Sequence, residues 1–120
     1  MKKVPLEIIV PIYNEGERVL KLFEFFQKFI KTEFRVLLCY DLDNDNIFNF
    51  RSELKRFSFE IIFVKNPLSG PCAAIKEGMY FGNSDCVIVY PADDFLNYVI
   101  IDKMYEIYTD NNHIVVASRF

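Results

Sequence analysis

Blocks of apolar and polar positions follow one another along this chain, and the period of each block predicts an element. Leu6 to Val10 is a short apolar run closed by Pro11, the pattern of a buried strand. From Glu17 to Lys31 the residues Val19, Leu22, Phe23, Phe26, Phe29 and Ile30 recur at helical spacing. Arg18, Lys21, Gln27 and Lys28 line much of the opposite face, so an amphipathic helix is expected. Phe25 falls outside that stripe and either widens it or marks a contact surface; it is taken as core packing.

Phe34 to Tyr40 predicts a second strand, followed by the polar loop Asp41–Asn46. Ile47, Phe50, Leu54 and Phe57 trace a short helix, and Phe59 to Val64 a third strand. Asn66-Pro-Leu-Ser-Gly-Pro71 is a loop, Cys72 to Phe81 a helix, and Gly82-Asn83 its stop signal. Val87 to Tyr90 is a fourth strand, Tyr98 to Thr109 a helix, and Ile114 to Ala117 a fifth strand. Five strands alternating with four helices predict an α/β fold: an open, mostly parallel twisted sheet with helices on both faces. Right-handed crossovers then bring the loops after every strand to one edge. The unusual chemistry of the chain falls in those loops. No repeat, linker or low-complexity tract interrupts it, so residues 1–120 are expected to form a single domain.

Composition narrows the function classes. Apolar residues make up 52% of the 120 positions, with 13 Phe, which excludes disorder. A net charge of −3 argues against a nucleic-acid binder, which needs a clustered basic face. No window holds the roughly 18 uninterrupted apolar residues of a transmembrane segment. Glu7 and Pro11 break the N-terminal run too early for a signal peptide. A cytoplasmic location is therefore expected, with membrane association left to a full-length context. Cys39, Cys72 and Cys86 lack metal-ligand spacing, and Cys39 and Cys86 are expected in the core.

The most informative segment is Val87-Ile-Val-Tyr-Pro-Ala-Asp-Asp-Phe95, an apolar strand ending in two adjacent carboxylates. Ligands of open α/β sheets bind at the carboxyl ends of the strands. Carboxylates there repel a bare phosphate but can hold a divalent cation, which in turn holds a diphosphate. The other reading of Asp93 and Asp94 is that they cap the following helix. Asp43 and Asp45 suit turn chemistry, and the loop lacks the glycine and glutamate of a calcium loop.

Val10-Pro-Ile-Tyr-Asn-Glu15 resembles the opening motif of the family 2 glycosyltransferases, inverting enzymes of GT-A fold. The resemblance continues through Asp41, Gly70-Pro-Cys-Ala-Ala-Ile-Lys-Glu-Gly78, Ala92-Asp-Asp94 and Ala117-Ser-Arg-Phe120, in the family's order. Among its members the polyprenyl-phosphate sugar synthases, typified by dolichol-phosphate mannose synthase, look most similar. The resemblance implies that Pro11, Tyr13 and Glu15 contact the base and ribose of a nucleoside-diphosphate sugar, and that Asp41 hydrogen-bonds the base. Tyr40 stands where the usual motif has a first acid. Gly70 leads the turn beneath the nucleotide, Lys76 approaches a phosphate unless it is simply a solvated helix lysine, and Arg119 lies near the donor phosphates or sugar. Asp93, after Ala92, matches the second acid of the Asp-x-Asp motif that ligates Mn²⁺ or Mg²⁺. Pro91 replaces the first acid, leaving Asp94 as the second candidate ligand.

The mechanism so implied is a single displacement at the anomeric carbon, with polyprenyl phosphate or a glycan as acceptor class. The general base and acceptor cradle are expected beyond Phe120, so the chain alone is expected to be inactive. The alternative is a degenerate, non-catalytic nucleotide-sugar-binding or protein-interaction domain. A phosphoacceptor receiver domain would need paired acids after the first strand and a lysine after the fifth. A nucleotidyltransferase would need a basic, glycine-rich first loop. The chain offers neither. His113, the lone histidine, is expected at the start of the fifth strand, away from the site.

Overall fold

The computed structural model describes residues 1–111 and 114–116. Four strands, β1 (Leu6–Ile12), β2 (Phe34–Tyr40), β3 (Glu60–Lys65) and β4 (Cys86–Val89), form one all-parallel sheet in the order β3-β2-β1-β4. The helices are α1 (Gly16–Phe29), α2 (Arg51–Leu54), α3 (Pro71–Phe81) and α4 (Ile101–Asn111). Short 3-10 turns, Asn46–Phe50 and Asn97–Ile100, lead into α2 and α4. The expected fifth strand is not formed over Ile114–Val116. Ile114 and Val116 are largely exposed there, and among the described residues no strand pairs with the outer edge of β4. Ala117 and His113 lie outside the described residues.

Connection direction explains the layering. The β1–β2 and β3–β4 crossovers run in opposite directions across the sheet, so right-handedness sends α1 and α3 to opposite faces. On one face Leu6, Ile8, Val10, Val36 and Leu38 pack beneath Phe23 and Phe26 of α1 and Ile101 of α4. On the other, Ile9, Leu37, Cys39 and Val64 pack beneath Ala74 of α3. Gly78 permits that approach, since a Cβ there would lie 3.1 Å from both Ile9 and Cys39. Phe25 does pack within the chain, stacking on Tyr98 at 4.8 Å between centroids.

β1 runs through Pro11 to Ile12 rather than stopping at Val10. The Ile9 carbonyl accepts a bond from Tyr90 N, so Ile9 faces β4. Pro11, two residues on, faces the same side, but β4 has ended at Val89. The N–H that proline lacks would have had no ladder partner, and the strand continues at no cost.

The amino half of the α3 face is ionic. Glu7 and Arg35 are cross-strand partners, both fully buried, joined by Arg35 Nη2 donating to Glu7 Oε2 at 2.6 Å. All five Arg35 N–H groups find acceptors: Glu7 twice, Asn83 Oδ1, Glu60 and the Lys2 carbonyl. Glu7 Oε1 accepts from Ser84 N at 2.9 Å. Burial works against the Glu7 carboxylate, but the Arg35 guanidinium and the Ser84 and Asn83 backbone outweigh it and hold its pKa below 4.5.

Candidate functional site

The strand order reverses direction at β1 and β4, so the crevice between their carboxyl ends is the switch point where open α/β sheets take ligands. A cleft of about 530 Å³ opens beside it, lined by Pro11, Tyr13, Glu15, Asp41, Gly70 and Pro71 among others. Five of the residues singled out in the sequence are therefore brought together. A hollow of about 630 Å³ at the opposite edge is lined by residues such as Lys2, Gln27, Thr32 and Glu60. None of the motif residues reaches it.

Two asparagines and an aspartate set the first wall. Asn14 adopts a left-handed conformation (φ 53°), which asparagine tolerates better than most residues. Its N–H donates to Asp45 Oδ2 at 2.9 Å, and its Oδ1 and carbonyl accept from Asn46 N and Nδ2. Asn46 Oδ1 also accepts from Gly16 N at 2.9 Å. Asp45 is buried, and its other oxygen accepts from Ile47 N, capping the 3-10 turn. The turn chemistry expected of Asp45 is present; Asp43 instead pairs with Lys65 at the surface. These bonds zip the loop after β1 to the loop after β2, leaving Tyr13 60% exposed at the cleft mouth.

Glu15 Oε1 accepts from Tyr13 N at 3.1 Å. Its pKa is nonetheless raised, first by burial and then by the charges of Asp93 and Asp45, which outweigh the Tyr13 bond and Arg18. Acidic groups thus converge on one end of the crevice.

Asp41, Asn66 and Gly70 form the second wall. Asp41 Oδ1 accepts from Asn66 Nδ2 at 2.8 Å, and Oδ2 from Gly70 N at 2.9 Å. Gly70 has φ 94°, and a Cβ on it would meet nothing within 4 Å. Backbone conformation, not crowding, calls for glycine here. Pro71 then opens α3 at a first-turn position, where a missing N–H is harmless.

Beyond β4, Ala92 is buried against the α1-side core while Asp93 is exposed. The Asp94 carboxylate accepts from Leu96 N, Asn97 N, Asn97 Nδ2 and the Tyr90 hydroxyl. Burial opposes its charge, but the Asn97 and Leu96 donors outweigh burial and hold its pKa low. Asp94 therefore shapes the turn into the 3-10 segment. Among the described residues no three His, Cys, Asp or Glu side chains gather as a metal-ligating group. Of the two adjacent carboxylates, Asp94 is taken up by its turn and Asp93 is left open.

Lys76 does not line the cleft. It is exposed on α3, its ammonium 5.9 Å from the Tyr80 ring centroid. Arg119 lies outside the described residues. Asn14, Asn46 and Asn66 are the residues that sequence reasoning passed over. Asn66 carries a readable signal, since its Oδ1 accepts from Leu68 N two residues on, the Asx-turn pattern of an asparagine opening a Pro/Gly loop.

No curated protein matches this chain. Among solved structures, S. aureus TarS residues 1–349 in complex with UDP-GlcNAc superposes with a TM-score of 0.68 at 18% identity. The match covers 89% of this chain and 32% of that one, so the chain spans about a third of its neighbour's length. The open α/β sheet seen here is therefore shared with that neighbour as a fold. The family description Glycosyl transferase family 2 matches residues 7–120, a span that takes in both cleft walls and the Asp93 turn, and the chain belongs to that family.

Proposed function

We propose that this chain is the donor domain of an inverting glycosyltransferase and binds a nucleoside-diphosphate sugar at the β1/β4 switch point. The observation that carries this reading is the convergence of Pro11, Tyr13, Glu15, Asp41 and Gly70 on one cleft at the carboxyl edge. An aromatic ring, proline surfaces and carboxylate acceptors suit a nucleobase and ribose, which present flat faces and N–H and O–H donors. The similarity in fold to a UDP-GlcNAc-bound protein agrees with that ligand class.

The diphosphate would lie toward Asp93. Asp93 would hold Mn²⁺ or Mg²⁺ together with diphosphate oxygens, Asp94 being engaged in its own turn. When bound, such a cation neutralises charge on the nucleoside-diphosphate leaving group. This chain's residues bind and orient: the Asp41 wall grips the base end, the Asn14–Asp45 zipper fixes Tyr13 and Glu15, and the buried Ala92 anchors the Asp93 turn.

Calorimetric titration with UDP-GlcNAc, UDP-glucose, GDP-mannose and the free nucleoside diphosphates, with Mn²⁺ and with chelator, tests the reading. We expect binding of one nucleotide class that weakens at least tenfold in chelator and in Asp93→Ala. A preference for GDP-mannose would support kinship with the polyprenyl-phosphate mannose synthases, and a preference for uridine nucleotides would oppose it. Folded protein that binds none of these ligands would refute the donor site.

A further inference from the structure

We infer that Asn66 is a positioning residue for donor binding: it fixes the Asp41 carboxylate and the Asn66–Gly70 loop as one rigid wall of the cleft. The inference rests on the donor-site reading above and adds to it a residue that no sequence motif singled out.

Asn66 sits directly after β3 and is only 1% exposed. A buried side-chain amide in a loop is costly unless its donors and acceptor are paired. Here the pairing joins three segments. The backbone N–H donates to the Tyr40 carbonyl at 2.8 Å, prolonging the β2–β3 ladder past the end of β3. Nδ2 donates to Asp41 Oδ1 at 2.8 Å and to the Gly70 carbonyl at 3.2 Å. Oδ1 accepts from Leu68 N at 3.2 Å. Asp41 Oδ2 closes the ring by accepting from Gly70 N at 2.9 Å.

The ring has a directional consequence. Each Asp41 oxygen takes one protein donor, which orients the carboxyl plane, and each keeps acceptor capacity for a ligand. Gly70 is held through both its N–H and its carbonyl, so the left-handed turn that opens α3 is clamped from the same side chain pair. Asn66 does not line the cleft, whereas Asp41, Ser69 and Gly70 do. It acts on the ligand only through them.

The two ends of the amide can be separated by substitution. Asn66→Ala removes all three side-chain bonds and releases Asp41 and the loop. Asn66→Asp keeps shape and the Leu68 acceptor but sets a second carboxylate against Asp41. Near neutral pH those charges repel and Asp41 is displaced. When the pair takes up one proton, an O–H···O bond replaces the Nδ2 bond to Asp41 and brings its carboxylate back, while the bond to the Gly70 carbonyl stays lost.

The test measures nucleoside-diphosphate affinity by calorimetry at pH 7.5 and pH 5.0 for wild type, Asn66→Ala and Asn66→Asp, with amide exchange of Gly70 and thermal melting alongside. The inference expects at least tenfold weaker binding in both variants at pH 7.5. It also expects faster Gly70 exchange, and recovery at pH 5.0 in Asn66→Asp only, relative to wild type at the same pH. Equal affinity in Asn66→Ala, or two variants with the same pH dependence, would overturn it. If Asn66→Ala fails to fold, the pH-dependent recovery of Asn66→Asp decides alone. Wild-type protein that binds no nucleotide refutes the donor site itself, and this inference with it, whereas wild-type binding with unaffected variants refutes the inference alone.

Discussion

Replacing Arg35 by methionine tests how the sheet tolerates a charge pair at its centre. The substitution keeps the aliphatic stem but withdraws five N–H donors from a fully buried position. Glu7 is left charged and buried, with the Ser84 N–H as its remaining strong partner, and Asn83 Oδ1 and the Lys2 carbonyl lose theirs. Breaking one side of a buried, hydrogen-bonded pair costs about 3–5 kcal/mol. For a domain of this size that corresponds to a fall in Tm of roughly 10–20 °C. The pH dependence should shift as well. In the wild type the Glu7 pKa lies below 4.5, so its stabilising contribution is present above that pH and is lost as pH falls through the folded value. Without Arg35, burial is opposed only by the Ser84 and Asn83 backbone donors, and the folded pKa rises from its wild-type position. The variant then gains stability relative to wild type on acidification and loses it as pH rises. Removing both charges, in Glu7→Leu with Arg35→Met, should recover most of the loss, because an apolar pair can replace a buried ion pair nearly neutrally. Urea denaturation at pH 4.5, 6 and 7.5 on all four proteins measures the coupling. Additive single substitutions, or an Arg35→Met loss below about 1 kcal/mol at pH 7.5, would refute the reasoning.

Two further outcomes follow from close packing and burial. Gly82→Ala should destabilise by about 1–3 kcal/mol, because its Cβ would stand 2.3 Å from Glu7 Oε1; an unchanged urea midpoint would count against the packing described. Thiol labelling of native protein, read by intact mass, should give one adduct at the exposed Cys72. Burial holds Cys39 up to about 12 and raises Cys86, so a second rapid adduct before denaturation would contradict the core.

The fold was legible where burial writes itself into period and composition. The apolar runs gave four strands, and Phe23 and Phe26 at helical spacing gave α1. Pro11 misled, because its effect depends on which neighbour faces it and on where that neighbour ends, and neither is local. Ile114–Val116 has strand composition, but composition does not make a ladder, and these residues form none with the described strands. At the site, Pro11, Tyr13, Glu15, Asp41 and Gly70 could be assembled by placing them after strands of a parallel sheet. Lys76 could not, since its direction depends on the rotation of α3. The cross-loop bonds of Asn14, Asn46 and Asn66 were not legible, Asn66's local turn apart, because they reach segments brought near by the sheet: residues 31 and 32 apart for Asn14 with Asp45 and Asn46, and 25 apart for Asn66 with Asp41.

The sheet's upper rim is not level. β1 and β2 end together at Ile12 and Tyr40, and β3 reaches the same height at Lys65, but β4 stops beside Ile9. Three residues at about 3.3 Å each make a step of about 10 Å, down from the shoulder that carries Asp41 to the shelf beyond Val89. Past the step the chain leaves the ladder: Tyr90 N still bonds the Ile9 carbonyl, Ala92 is buried, and the exposed Asp93 is carried by a turn and not by a strand. A fourth strand as long as the first would hold Pro91 to Asp93 extended; ending at Val89 lets the chain turn, with Asp94 N donating to the Pro91 carbonyl.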